Sequence, residues 1–154
     1  MWPIVLLAAL WMSVTLGMGA YATPLGPWYY GLRKPSWQPP DWLFGPAWTL
    51  IFALAAAAAI IAWRSPNPAP AARPLLVTAY LANGVLNTCW SVLFFTLRRP
   101  DWALLEVPVL WLSIFGMIAA IRPLAARAAW LLVPYVLWVS FAAVLNLAIT
   151  RLNH

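Results

Sequence analysis

Aromatic and amide side chains recur at helical spacing inside three long apolar stretches of the sequence. The sets are Trp48/Phe52, Asn83/Asn87/Trp90/Phe94 and Trp138/Ala142/Asn146. Steps of three or four residues place the members of each set on one face of a helix. Aromatic walls carrying a few amide groups are typical of sites for flat, largely apolar ligands. If the three faces converge, the sequence predicts a cavity of that kind.

The same residues also have a purely structural interpretation. Asn83, Asn87 and Asn146 can hydrogen-bond between helices, each contributing on the order of 1 kcal/mol, and aromatic residues at helical spacing usually pack in a core. The residue pattern alone leaves both interpretations open. Glu106 would cost roughly 3 kcal/mol if it faced lipid at the membrane centre, so we expect it to reach toward the surface or to pair with a donor on another helix.

Residues for conventional catalysis or metal binding are scarce. The only histidine is His154, the last residue, so the apolar stretches cannot supply a His-ligated haem or zinc site. There is no Ser-His-Asp set, phosphate loop or carboxylate pair. The single cysteine, Cys89, excludes an intrachain disulfide and is interpreted as a small packing residue. We therefore expect no catalytic residues, no bound metal and no obligatory cofactor.

The elements that must position these residues are membrane-spanning helices. Apolar residues make up 65% of the 154 positions and charged residues only 8%, against roughly 25% charged in soluble domains. A helix needs about 20 apolar residues to cross a hydrocarbon core of roughly 30 Å. The sequence predicts an all-α membrane protein of one domain, residues 1–154. Its five transmembrane helices are predicted at about residues 2–22, 42–63, 74–97, 102–121 and 124–150.

Five spans place the two ends of the chain on opposite membrane faces, side A for the amino terminus and side B for the carboxyl terminus. Depth follows from a rise of about 1.5 Å per residue. By this measure Trp48, Phe52, Asn87, Trp138 and Asn146 all lie within about 18 Å of side B. The candidate cavity therefore belongs to the side-B half of the bundle.

The nine basic residues lie between the spans and at their ends, and they give a net charge of +6. This placement indicates anchoring to lipid headgroups, and we expect membrane lipids rather than nucleic acid as partners. Four of the basic residues fall on side A and five on side B, a distribution too even to set the orientation.

The segment Thr23–Asp41 joins the first two spans and contains five prolines, two glycines and four large aromatic residues. Prolines exclude one long helix, whereas disordered segments are poor in aromatic residues. We predict an ordered Pro/Trp-rich loop that covers the cavity as a lid. The alternative is an amphipathic segment lying among the headgroups.

Small residues on the first span, Ala9, Ser13 and Gly17, recur every fourth position. Such a row permits close helix contact, either within one chain or between chains.

Three motifs of the sequence resemble the TspO, or tryptophan-rich sensory, family, which includes the mitochondrial translocator protein once called the peripheral benzodiazepine receptor. The main motif is W-Y-Y-G-L-R-K-P-S-W-Q-P-P-D-W-L-F-G-P-A-W, from Trp28 to Trp48. Further similarities are N-G-V-L-N-T-C-W-S-V-L-F-F from Asn83 and V-P-Y-V-L-W-V-S-F-A-A-V-L-N from Val133. The resemblance covers nearly the whole chain in the same order.

The resemblance implies a five-helix bundle, usually a homodimer, with a cavity for porphyrins and drug-like molecules below the first loop. Transferred by motif position, the ligand-binding candidates are Tyr29, Trp37, Pro40, Trp42, Phe44, Trp48, Phe52, Asn87, Trp138, Ala142 and Asn146. Two positions depart from the family pattern. Ser36 precedes Trp37 where some bacterial members have a Trp-Trp pair, and Leu147 replaces a tyrosine of the animal sterol-recognition stretch, so we do not expect high-affinity sterol binding.

Together these features predict a multi-pass membrane receptor or sensor, in a bacterial envelope, whose ligand is a porphyrin such as protoporphyrin IX or haem, or another flat apolar molecule. One alternative is a transporter of porphyrins or lipids. Another is a light-dependent porphyrin-degrading enzyme in which Trp48 and Trp138 take part in radical chemistry.

Overall fold

Five long helices and one short helix build the protein, as seen in a computed structural model that describes all residues 1–154. The helices are α1 (Trp2–Tyr21), α2 (Pro27–Gly31), α3 (Phe44–Trp63), α4 (Ala72–Ser91), α5 (Pro100–Ala125) and α6 (Val133–Leu152). All except α2 are long and apolar enough to cross a membrane. The prediction of an all-α protein with five spans is confirmed, and the chain is a multi-pass membrane protein.

The core lies where α3 meets α5 and the turn that precedes α6. Ala55, Ala58 and Ala62 on α3 have no exposed surface, and Ile114 and Met117 on α5 are equally enclosed. Alanine side chains are short, so the facing backbones approach closely and the larger side chains of α5 fill the space between them. The Ala-rich part of α3 therefore serves packing within the chain.

Helix α1 lies at the edge of the bundle against α3 and α4. Only Ala8 and Thr15 are buried along its length. It is fixed to α4 by a hydrogen bond from Trp11 Nε1 to the carbonyl oxygen of Tyr80, 2.8 Å long. The predicted row Ala9, Ser13 and Gly17 is exposed, so this row makes no close helix contact within the chain.

The ends of the last two long helices differ from the sequence prediction. Helix α5 continues through Pro123 to Ala125, whereas the sequence predicts its end near residue 121. Proline removes only one backbone donor, and the neighbouring alanines are strong helix formers. As a result, α6 is preceded by a 3₁₀ turn, Ala128–Leu132, instead of beginning near residue 124.

The segment Thr23–Asp41 is structured by its own short helix. Pro27 occupies the first turn of α2, a position where the missing amide hydrogen of proline costs nothing. The chain then runs in extended and turn conformations to a 3₁₀ turn, Asp41–Leu43, that leads directly into α3. This segment, called the lid below, lies over the side-B end of the bundle.

Candidate ligand-binding cavity

A cavity of about 500 Å³ lies in the side-B half of the bundle, enclosed by α1, α3, α4, α6 and the lid. Its lining is mostly apolar. The lining residues are Thr15, Leu16, Gly19 and Ala20 of α1; Thr23, Leu25, Tyr29, Gln38 and Asp41 of the lid; Phe44, Gly45, Trp48, Thr49 and Phe52 of α3; Asn87, Trp90, Ser91, Phe94 and Phe95 of α4 and the turn after it; and Trp138, Ala142, Leu145, Asn146 and Ile149 of α6.

Interlocked aromatic rings form the wall between α3 and α6. Trp48 stacks on Phe52 with ring centroids 5.3 Å apart. Its edge meets Trp138 of α6 at 6.2 Å and a near-perpendicular angle of 88°, and Phe44 meets Trp138 at 5.7 Å. Rings held at these distances and angles attract one another and stay in fixed orientations. The wall therefore presents preformed ring faces and edges to the cavity.

A second aromatic group lies on α4, where a π-helical turn, Val92–Thr96, follows the regular helix. Trp90 stacks on Phe94 at 5.3 Å, and Phe94 contacts Phe95 at 4.6 Å. The extra residue of a π turn changes the angular spacing of side chains, and such turns are frequent at functional sites. Here it brings both consecutive phenylalanines to the cavity.

The buried amides hydrogen-bond mainly to protein groups. Tyr135 donates to Asn83 Oδ1 over 2.9 Å and accepts from Asn87 Nδ2 over 3.2 Å, and Asn83 donates to Ser113 Oγ over 2.9 Å. These bonds tie α4, α5 and α6 together behind the aromatic wall. Interhelical hydrogen bonding, the simpler interpretation of these amides, is thus correct for Asn83, which does not line the cavity.

Asn146 has a similar role nearer side B. Its Oδ1 accepts from Trp90 Nε1 over 3.2 Å, and its Nδ2 donates to the carbonyl oxygen of Pro100 over 2.9 Å. The side chain therefore lines the cavity and also joins α6 to α4 and to the start of α5.

Among the cavity-lining groups, two buried polar atoms have no hydrogen-bond partner in the protein. They are Nε1 of Trp138 and Oε1 of Gln38. Both carboxylate oxygens of Glu106 also lack a partner, but Glu106 does not line the cavity. An unpaired buried polar group costs stability. A polar atom of a ligand would therefore gain most by hydrogen-bonding to Nε1 of Trp138 or Oε1 of Gln38.

The lid is held together around Tyr29. Its hydroxyl donates to Asp41 Oδ1 over 2.7 Å and accepts from Gln38 Nε2 over 3.2 Å, while Lys34 Nζ lies 4.0 Å above the ring. Burial, followed by the hydrogen bond to the Asp41 carboxylate, raises the pKa of Tyr29 well above its ordinary value. Tyr29 therefore remains a neutral donor throughout the physiological pH range.

The lid is also fastened to the helices. Asn153, just beyond α6, accepts from the backbone N–H of Arg33 over 2.9 Å and donates to the backbone oxygen of Arg33 over 2.9 Å. Thr96 Oγ1 donates to the carbonyl oxygen of Ala22, the residue just before the lid, over 2.8 Å. These bonds attach the middle of the lid and the residue that precedes it to the helices.

Eight of the eleven ligand-binding candidates line this cavity: Tyr29, Phe44, Trp48, Phe52, Asn87, Trp138, Ala142 and Asn146. The structure does not place Trp37, Pro40 or Trp42 among the lining residues. Trp37 packs on the outer side of Phe141 with ring centroids 5.9 Å apart, and Trp42 is 70% exposed. Whether any of the eleven binds a ligand stays a prediction.

Several lining residues are absent from the sequence-based candidates. Trp90 and Phe94 belong to the α4 face that the sequence predicts but not to the eleven candidates, and Ser91 and Phe95 could have been found by continuing that face along α4. Gln38 and Asp41 had no such signal, because their position depends on how the lid folds. No group of His, Cys, Asp and Glu side chains is arranged to hold a metal ion.

Comparison with known proteins agrees with this architecture. Residues 4–152 match the model of the TspO/MBR family. The tryptophan-rich protein TspO of Chlorobaculum tepidum is 36% identical, covering 97% of both chains. The tryptophan-rich sensory protein of Cereibacter sphaeroides is 35% identical, covering 94% of this chain and 92% of the relative. The human translocator protein is 34% identical, covering 82% of this chain and 75% of the relative. A match of this extent, on a five-span bundle with a lidded aromatic cavity, shows that the chain belongs to the TspO/MBR family.

Proposed function

We propose that this protein is a membrane receptor or sensor that binds porphyrins and other bulky, flat, apolar molecules in the cavity beneath the lid. The observation that carries this proposal is the preformed aromatic wall around Trp48 and Trp138. A volume of about 500 Å³ falls within the roughly 300–1,000 Å³ of typical small-molecule sites. Ring faces and edges at fixed positions favour a flat, π-rich ligand over a flexible one.

Lys34 is the cation best placed to pair with the propionate of a porphyrin. Its ammonium group lies above the ring of Tyr29, and that ring lines the cavity. A carboxylate at the edge of the ligand would meet this charge at the lid, while the apolar ring system remains among the tryptophans. Charge-assisted hydrogen bonds of this kind are roughly twice as strong as neutral ones.

The names of two relatives support ligand recognition in a membrane. One relative is a tryptophan-rich sensory protein and another is a translocator protein. Sensing requires only that ligand binding alters the protein, whereas translocation also requires a second exit from the cavity. Flux of porphyrin across proteoliposomes containing the protein would favour the transport alternative.

Titration of the protein in lipid nanodiscs with protoporphyrin IX tests the proposal. We expect saturable quenching of tryptophan fluorescence at a stoichiometric ratio. The double variant Trp48→Ala/Trp138→Ala should bind about 10- to 100-fold more weakly, because each aromatic pair contributes about 0.5–1.5 kcal/mol beyond its buried area. The more conservative Trp48→Phe/Trp138→Phe variant guards against loss of folding.

The matched control is Trp2→Ala/Trp130→Ala, since these two indoles are 76% and 74% exposed. This control should leave the affinity unchanged. Equal affinity of the cavity variants and the control variants would show that porphyrin binds elsewhere.

We further propose, as the family resemblance implies, that the protein functions as a homodimer. The exposed row of Ala9, Ser13 and Gly17 leaves α1 able to pack closely against another helix. Sedimentation in detergent would reveal the dimer. If the variant Gly17→Leu no longer forms the dimer, the row of Ala9, Ser13 and Gly17 lies in the dimer interface.

A further inference from the structure

We propose that ligands exchange between the cavity and the surrounding bilayer through a lateral window between α1 and α3, with the lid remaining closed. This inference rests on the proposed ligand binding and adds the route by which the ligand arrives. Three residues define the window. Ala20 on α1 and Gly45 and Thr49 on α3 line the cavity and are exposed, unlike the other lining residues of the long helices.

The opposite wall of the cavity is closed. Asn87, Ser91 and Phe94 on the α4 side are buried, and so are Asn146 and Ile149 on α6. Because these residues are buried and both helices pack against α5, ligands cannot leave through this wall without separating packed helices. The α1–α3 side is the one where cavity-lining residues of neighbouring long helices are exposed.

Small residues keep the window open. Gly19 faces the cavity from α1, and Gly45 faces it from α3. A Cβ added at either glycine would have no neighbouring atom within 4 Å. The space beside both glycines is therefore not filled by a neighbouring side chain.

The lid, in contrast, is fastened by hydrogen bonds at several points. Asn153 holds the backbone of Arg33 through two bonds, Thr96 holds Ala22, and Tyr29 holds Asp41. Opening the lid would break at least the two bonds that join Arg33 to Asn153, while the window requires none of these bonds to break. Exchange through the window therefore has the lower structural cost.

The depth of the window indicates the ligand chemistry that it admits. Thr49 lies five residues into α3, about 7.5 Å below the helix start at 1.5 Å per residue. Headgroup regions add roughly 5–8 Å on each side of the hydrocarbon core. The window thus opens at the boundary between headgroups and acyl chains, where a flat apolar molecule with a polar edge accumulates.

Stopped-flow binding of protoporphyrin IX to the protein in nanodiscs tests this route. Gly45→Leu and Gly19→Leu narrow the window, and we expect each to slow both association and dissociation by about tenfold or more. A substitution that only weakened the binding site would instead accelerate dissociation without slowing association. Gly116→Leu is the matched control, because Gly116 on α5 is exposed with equally open space and does not line the cavity. Its rates should equal those of the wild type.

The lid route makes the opposite prediction. Asn153→Ala removes both bonds to Arg33, so entry through the lid would accelerate exchange in this variant and leave the two leucine variants unaffected. That combination would overturn the window. Unchanged rates in Asn153→Ala, together with slow exchange in the leucine variants, would support it.

A measurement without porphyrin separates failure of the route from failure of the proposed function. The double variant Cys89→Ser/Ser91→Cys carries its only thiol on the cavity wall. This thiol is labelled either by an apolar maleimide or by a membrane-impermeant, charged thiosulfonate. The window predicts fast labelling by the apolar reagent, slowed by Gly45→Leu, and slow labelling by the charged reagent. Fast labelling by the charged reagent, indifferent to Gly45→Leu, would contradict the window even if no porphyrin binds.

Discussion

Removing the hydroxyl of Tyr135 should destabilise the bundle without disturbing its aromatic packing. Tyr135 is 1% exposed, and its ring meets the edges of Trp48 and Phe52 at 6.0 and 5.7 Å. Tyr135→Phe keeps those ring contacts and removes only the bonds to Asn83 and Asn87. The variant therefore isolates the contribution of the hydrogen-bonded junction between α4 and α6.

The magnitude follows from the two bonds that are lost. Interhelical hydrogen bonds in membrane proteins average about 0.6 kcal/mol and reach about 1.7 kcal/mol, and amides left unpaired add a desolvation cost. We therefore expect a decrease of roughly 1–2 kcal/mol in the free energy of unfolding. For a chain of this length each kcal/mol corresponds to about 2–4 °C in the midpoint of thermal unfolding.

The assay is reversible unfolding in mixed detergent micelles, followed by circular dichroism. Tyr30→Phe is the control, because Tyr30 is 62% exposed and makes no side-chain hydrogen bond. A double-mutant cycle with Asn87→Ala then measures the coupling between the two side chains. If Tyr135→Phe were no less stable than Tyr30→Phe, the reasoning about the amide network would be refuted.

Three further predictions concern other contacts. Gly84→Leu should destabilise the protein by about 1–3 kcal/mol, because a Cβ there would lie 3.1 Å from Trp11 Nε1 and 3.2 Å from Thr15 Oγ1. Thermal unfolding measures this loss. The control is Gly116→Leu, where no neighbour lies within 4 Å, and equal stability of the two variants would contradict the prediction. Because the pKa of Tyr29 is raised above its ordinary value of 10.0, its contribution to stability should be complete below pH 10 and lost as pH rises above it. Thermal unfolding measured at a series of pH values should therefore show an advantage of the wild type over Tyr29→Phe that declines only above pH 10, and an advantage independent of pH would exclude this cause. Lys34→Gln should weaken binding of protoporphyrin IX by about tenfold and leave the affinity for its dimethyl ester unchanged, as measured by fluorescence titration. An equal loss of affinity for both ligands, or an equal loss in Arg151→Gln, would exclude pairing of Lys34 with a propionate.

Much of the fold could be predicted because the membrane imposes simple rules. Apolar stretches of about 20 residues with few or no charges must be helices, and the structure has five of them. The π turn at Val92–Thr96 and the continuation of α5 through Pro123 had no comparable signal. Both depend on how neighbouring helices pack, which local sequence does not record.

In the candidate site, the residues on helices could be predicted from the sequence, whereas those in the lid could not. Trp48, Asn87 and Trp138 could be placed correctly because helical periodicity fixes the direction of a side chain relative to its neighbours. In the lid and just after it, Trp37 and Trp42 are not among the lining residues, whereas Gln38 and Asp41 are. The lid conformation depends on contacts such as Arg33 with Asn153, 120 positions apart in sequence, and no local pattern predicts a contact over that distance.

The arrangement of polar groups explains why such a cavity would suit a class of ligands more than one compound. Asn83 and Asn87 bond to Tyr135 behind the rings, and Asn146 is occupied by Trp90 and Pro100. The amides therefore fix the helices, and the wall offers a ligand mainly rigid aromatic surface. Discrimination between ligands would then depend on a few polar groups, among them Lys34, Gln38 and the unpaired N–H of Trp138. If the proposed function is correct, a ligand would be selected first by flatness and only then by the polar groups at its edge.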